Sequence, residues 1–131
     1  MNKRTINTLD SDVGLLSIGA IAKTLGVHPR TLRIYDKKNI LTPKRSDGDR
    51  RLYSINDIEK ARLVLFLTRN LALNLSGIKI ILTMLEKMNI EPKNYMSFIE
   101  ETAKDANIDI EEQEQNITKN SNRGRKPKAS K

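Results

Sequence analysis

Between Ser17 and Lys38, two short runs of apolar residues at helical spacing are divided by a glycine and a proline, and this punctuation constrains the fold most. Ser17 offers a side-chain oxygen to cap a helix, although Ala20 at the third position leaves the capping box incomplete. Ile18, Ile21, Ala22 and Leu25 follow on one stripe, and Gly26 is a natural stop. Gly26-Val27-His28 then leads into Pro29, whose missing N–H suits the first position of a new helix. That second helix, Pro29 to Lys38, turns Leu32 and Tyr35 inward and gathers Arg30, Arg33 and Lys37 on a shared face. Two short helices joined by a glycine-containing turn form a helix-turn-helix.

The next fourteen residues, Leu41 to Ser54, hold two short segments around Asp47-Gly48, a turn dipeptide. They predict a small basic β-hairpin, a wing, with Arg45, Arg50 and Arg51 on its strands. Adjacent residues on a strand face opposite sides, so only one of Arg50 and Arg51 points outward easily. The other is expected to pack over the domain or pair with an acid such as Asp57.

Ser54 begins a longer helix with Asp57 at its third position and Ile58, Ala61, Leu65 and Thr68 on its inner stripe. Another starts between Asn74 and Gly77 and carries Ile78, Ile81, Leu82 and Leu85. A last helix begins near Pro92 and presents Tyr95, Phe98, Ile99, Thr102 and Ala106 at near coiled-coil spacing. The expected fold is therefore mainly α: a winged helix-turn-helix with a small β-hairpin wing, two further helices and a short C-terminal helix. Residues 1–16 read as a flexible arm, 17–88 as the domain, 89–106 as a candidate dimerisation helix, and 107–131 as an acidic then basic disordered tail. With 131 residues, 37% hydrophobic and only 4% aromatic, the core rests on Leu and Ile, and a partner chain is a natural source of further burial.

Charge is segregated along the chain. Residues 17–54 carry a net +6, residues 89–118 a net −6 and residues 119–131 a net +6, within a total of +8. That pattern points to a polyanionic partner, with nucleic acid ahead of a membrane. The absence of Cys and the single His remove disulfides, thiolate metal sites and redox sensing by thiols, and no metal or cofactor is expected. No nucleophile–base pair or phosphate loop suggests an enzyme. No apolar run reaches membrane-spanning length, and the charged residues 1–5 precede no apolar stretch, so the cytoplasm, with a place on the bacterial nucleoid, is the expected location.

Several segments in register carry a resemblance: Ile18-Gly19-Ala20-Ile21-Ala22 before Gly26-Val27, then Thr31-Leu32-Arg33-Ile34-Tyr35-Asp36, then Arg50-Arg51-Leu52-Tyr53-Ser54. The first ninety residues resemble the N-terminal domain of the MerR family of bacterial regulators. Within it they are most similar to the heat-shock-repressor (HspR-like) branch, through the run from His28 to Tyr35 and Asn74-Leu75-Ser76-Gly77-Ile78. Ile34 stands where most of the family has a second Tyr, and Ala72 where a Gly usually ends the third helix. The resemblance implies a dimeric transcription regulator on an inverted repeat, RNA polymerase as a partner, and a DnaK-type chaperone as corepressor.

A recognition helix directs its early side chains at base edges, so Arg30 is assigned to bases, where its guanidinium matches guanine O6 and N7. Thr31 is grouped with it. For Arg33 the resemblance implies base or phosphate, and Lys37 supplies charge near the backbone. For Tyr35 it implies a hydroxyl on phosphate with the ring in the core, against pure core packing. Arg50 and Tyr53 are placed by it at phosphate-facing or core-supporting positions, and a wing phosphate contact is expected within Arg45–Arg51. His28 reads as a helix N-terminal residue beside the backbone. The family's C-terminal helix dimerises, which assigns Tyr95, Phe98, Ile99 and Thr102 to that role, against docking on their own domain. The tail residues Arg123, Arg125 and Lys126 resemble an AT-hook, against a basic tail of nonspecific affinity. The competing classes are an architectural or excisionase-like DNA-binding protein and an adaptor bound to RNA polymerase.

Overall fold

A computed structural model describes residues 11–110 of the chain. Helix α1 (Ile18–Leu25) starts where Ser17 Oγ accepts from the Ala20 N–H at 3.1 Å, and ends at Gly26, whose φ of 70° is left-handed. Helix α2 (Pro29–Lys37) has Pro29 in its first turn and His28 as its cap: the imidazole Nδ1 accepts from the Arg30 N–H at 3.0 Å. Strands β1 (Lys44–Arg45) and β2 (Arg51–Leu52) pair antiparallel, Arg45 opposite Arg51. Helix α3 (Ile55–Arg69) opens with a complete capping box, Ser54 and Asp57 each bonding the other's backbone N–H. Helix α4 (Leu75–Lys87) is capped by Asn74, and a 3₁₀ turn (Pro92–Asn94) leads into α5 (Tyr95–Asp105).

The layout agrees with the sequence reading as a winged helix-turn-helix followed by further helices, and α3 is its centre. It packs against α1, α4, α5 and the 3₁₀ turn, so it buries Ala61, Leu63, Val64 and Leu67. The single stripe expected on it is too narrow: Leu65 and Ile58 are half-buried and Thr68 is exposed. On α4 the expected stripe holds, with Ile78 and Leu85 fully buried and Ile81 and Leu82 half-buried.

Three helices end alike. After α2, α4 and α5 come Asn39-Ile40, Asn89-Ile90 and Asn107-Ile108, each Asn with φ near 60°. The following Ile N–H bonds back to the carbonyls of Tyr35, Leu85 and Ala103 respectively. Asn tolerates the left-handed region, and the backward bond satisfies a carbonyl that the helix end leaves free.

Two expectations are corrected here. Residues 11–16 belong to the domain: Leu16 bridges Tyr53, the Asn56 N–H donates to the Ser11 carbonyl, and Lys44 Nζ to the Asp12 carbonyl. The flexible arm read over 1–16 therefore cannot extend past residue 10, and residues 1–10 lie outside the described ones. Secondly, α5 lays its stripe on α3 of its own chain. Tyr95 is 2% exposed, and Phe98 and Ile99 pack against the same core. Tyr95 is a core residue and not a dimerisation contact, because its ring is already covered. Thr102 is exposed and donates to the Phe98 carbonyl. Among the described residues no helix is long and apolar enough to cross a membrane.

Candidate nucleic-acid interface

The turn between α1 and α2 is held by backbone bonds, with the Gly26 and Val27 N–H groups donating to the carbonyls of Lys23 and Ala22. Two short helices would be marginal alone. Here Ile21 and Ala22 from α1 and Leu32 and Tyr35 from α2 share one core, which fixes the orientation of α2. Its outer face then carries Arg30, Arg33, Ile34, Lys37 and Lys38, all exposed. Four cations on a rigid outward face are the arrangement a major groove accepts. Thr31 is half-buried beside them, its N–H bonded to the His28 carbonyl.

The wing is coupled to α2 by one carboxylate. Asp36 Oδ2 accepts from Arg51 Nε at 2.8 Å and from Arg45 Nη2 at 3.1 Å. Arg45 also donates to the Asp49 carbonyl. Both strand arginines are thus engaged in holding the hairpin against the helix. The partner expected for the inward arginine, Asp57, is corrected to Asp36: Arg51 meets the Asp36 carboxylate, and Asp57 Oδ2 accepts from the Ser54 N–H in the capping box. Arg50 lies just before β2 and not on a strand. It is exposed, and among the described residues it forms no ion pair, so it is the wing guanidinium most available to a phosphate.

Two tyrosines lie in the core. Tyr53 is fully buried between Leu16 and the hairpin, and its hydroxyl has no hydrogen-bond partner among the described residues. It cannot reach a phosphate, so its assignment as a DNA contact is corrected to core support. Burial pushes its phenol up to about 12, with Arg51 opposing and Asp36 adding. Tyr35 is 5% exposed, and its hydroxyl hydrogen-bonds to Thr68 on α3. Burial raises it above its ordinary value, and the Thr68 bond partly offsets this. The ring of Tyr35 lies in the core, as both readings of this residue require. Tyr95 is raised chiefly by burial as well, with Glu86 adding.

The candidate face comprises Arg30, Arg33 and Lys37 on α2, Lys38 at its C-cap and Arg50 on the wing. The sequence reading missed Asp36 as the coupling group and Ile34 as an outward residue. The signal for Asp36 was its place one residue after Tyr35, on the flank of α2 turned toward the hairpin. Arg123, Arg125 and Lys126 lie outside the described residues.

The profile of MerR HTH family regulatory proteins matches residues 16–85, which is more than half of the chain. A heat shock protein HspR of Streptomyces coelicolor is 39% identical over 77 residues, 59% of this chain and 51% of that one. The HTH-type transcriptional regulator GlnR of Bacillus cereus is 36% identical over 72 residues, 55% of each chain. The chain spans about half the length of these relatives. Among solved structures, a MerR-family transcriptional regulator from Bacillus cereus overlaps 70% of this chain and 75% of its own, with a TM-score of 0.48 at 26% identity. The N-terminal part of MtaN, the Bacillus subtilis multidrug transporter activator, overlaps 72% of this chain and 99% of its own, with a TM-score of 0.49 at 24% identity. Because the match begins at Leu16 and runs unbroken through α1, α2, the wing and α3 into α4, this chain belongs to the MerR HTH family of regulatory proteins.

Proposed function

We propose that this chain is a sequence-specific regulator of transcription that binds double-stranded DNA as a dimer on an inverted repeat. Helix α2 enters the major groove, Arg30 reads a base edge, and Arg50 on the wing grips a phosphate of the adjoining backbone. The observation that carries this is the exposed cationic face of α2, set rigidly by Leu32 and Tyr35 beneath it. One such helix reaches only a few base pairs, and helix-turn-helix proteins commonly reach a unique site by pairing two half-sites. Chaperone genes stand first among the proposed targets and repression first among the proposed outputs, a reading that the identity to a protein named for heat shock supports. A DnaK-type chaperone as corepressor, and RNA polymerase as a contact, are finer parts of the proposal, taken from the resemblance to the heat-shock branch and to the wider family.

Selection of bound sequences from a pool of random duplexes tests the reading. The expected result is an enriched palindrome whose half-sites lie one or more helical turns apart, each turn about 10–10.5 base pairs. Binding without any enriched sequence would overturn it and favour an architectural role.

A further inference from the structure

Ile34 is 41% exposed although it is apolar and β-branched, and it lies on the face that carries the proposed DNA contacts. At about 100° per residue, the direction opposite Leu32 and Tyr35 falls on Arg30 and Lys37. Arg33 and Ile34 flank that line on either side. The other large exposed apolar residues, among them Leu15, Ile55, Ile80 and Met84, lie outside α2. Ile34 is therefore the one large apolar side chain that the α2 face presents outward among its cations.

An isoleucine has nothing to offer a phosphate, with neither charge nor donor, and its branched stem is stiff, so it holds one direction. The floor of the major groove displays a matching apolar group on one base only, the C5-methyl of thymine. We propose that Ile34 is a specificity-determining residue that packs on a thymine methyl while Arg30, one turn earlier, takes the hydrogen-bonding base edge. The inference rests on α2 being the groove-reading helix. Four residues rise about 6 Å along the helix, less than two base-pair steps of about 3.4 Å each. The thymine therefore lies within one or two base pairs of the position read by Arg30.

The test uses the full chain and a duplex recovered from the random pool, with each thymine of a half-site replaced in turn by uracil. Uracil keeps base pairing and removes only the methyl. At one position per half-site, beside the base that Arg30→Ala ceases to discriminate, affinity is expected to fall about fourfold, the worth of one buried methyl. Ile34→Ala is expected to fold normally, since the side chain stands outside the core, and to bind the thymine and uracil duplexes equally. An enriched site at which no uracil weakens the unmodified chain overturns the inference alone, as does an uracil effect that persists undiminished in Ile34→Ala. A pool that enriches no sequence overturns the groove-reading role of α2, and this inference with it.

Discussion

Replacing Asp36 with Ala removes the acceptor that ties the wing to α2, and the structure sets the scale of the loss. The carboxylate is 11% exposed and takes two guanidinium donors, Arg51 at 24% exposure and Arg45 at 42%. A hydrogen bond to a charged group contributes about 1.5–3 kcal/mol when sheltered, whereas an exposed ion pair contributes about 0–1 kcal/mol. The Arg51 bond belongs to the first class and the Arg45 bond to the second. Asp36→Ala is thus expected to cost about 2–3 kcal/mol, much of it from leaving the Arg51 guanidinium half-buried without a partner. For a domain of this size that lowers Tm by about 4–8 °C per kcal/mol. Thermal unfolding followed by circular dichroism reads the loss, and a cycle with Arg51→Met separates the pair from Arg45. In the Asp36→Ala background, Arg51→Met should be neutral or stabilising. An Asp36→Ala variant within about 0.5 kcal/mol of the parent would refute the coupling of wing to helix.

Three further outcomes follow from the packing. Tyr53→Phe is expected to stabilise the fold by about 1 kcal/mol in denaturant melts at neutral pH, because it deletes a buried hydroxyl that has no partner; destabilisation would mean the hydroxyl is satisfied. Tyr53 titrates near 12 in the fold and near 10 when exposed, so its contribution is fully present below pH 10 and lost as pH rises towards 12. Stability of the parent should fall by up to about 1.4 kcal/mol per pH unit across that window, and more gently in Tyr53→Phe. Ala72 has a φ of 55° after α3, a strained position for any residue with a Cβ. Ala72→Gly should raise stability by about 0.5–1 kcal/mol once the entropy of the freer chain is subtracted; a loss would mean that the methyl packs.

The parts of the fold that were readable from residue order are those whose signals are local. Ser17, Gly26, Pro29, Ser54 and Asn74 act within three or four residues of themselves, and the helices begin or end where they stand. Asp47-Gly48 marked the hairpin but not its geometry. The loop is closed by the Ser46 N–H donating to the Arg50 carbonyl, and it is Asp49, with a φ of 63°, that takes the left-handed position. That is a three-residue loop, which the dipeptide alone does not distinguish from a two-residue turn. The Asn-Ile helix endings were equally local, and are legible once Asn is read with the residue that follows it.

What was not legible depends on which surface lies opposite. The stripe on α5 has a period but no address, so it fits α3 of its own chain as well as a partner's helix; the burial of Tyr95 and Ala103 settles that contact. A helix packed on several sides breaks the one-stripe rule, and α3 did so through Leu63 and Leu67. Residues 11–16 join the hairpin chiefly through backbone bonds, which leave little trace in side-chain patterning. Asp57 was the acid offered on paper for a wing arginine, and only the folded geometry shows Asp36 taking the guanidinium while Asp57 caps its own helix.

The central claim is a division of labour: an outward guanidinium on α2 reads bases while one on the wing holds backbone. Binding of Arg30→Ala and Arg50→Ala to the selected duplex and to a scrambled one, titrated across salt concentrations, measures it most directly. Arg30→Ala should lose about 1–3 kcal/mol on the selected duplex alone, whereas Arg50→Ala should weaken both duplexes alike and reduce the salt slope by about one. Equal losses on both duplexes for Arg30→Ala, or a loss confined to the selected duplex for Arg50→Ala, would contradict it.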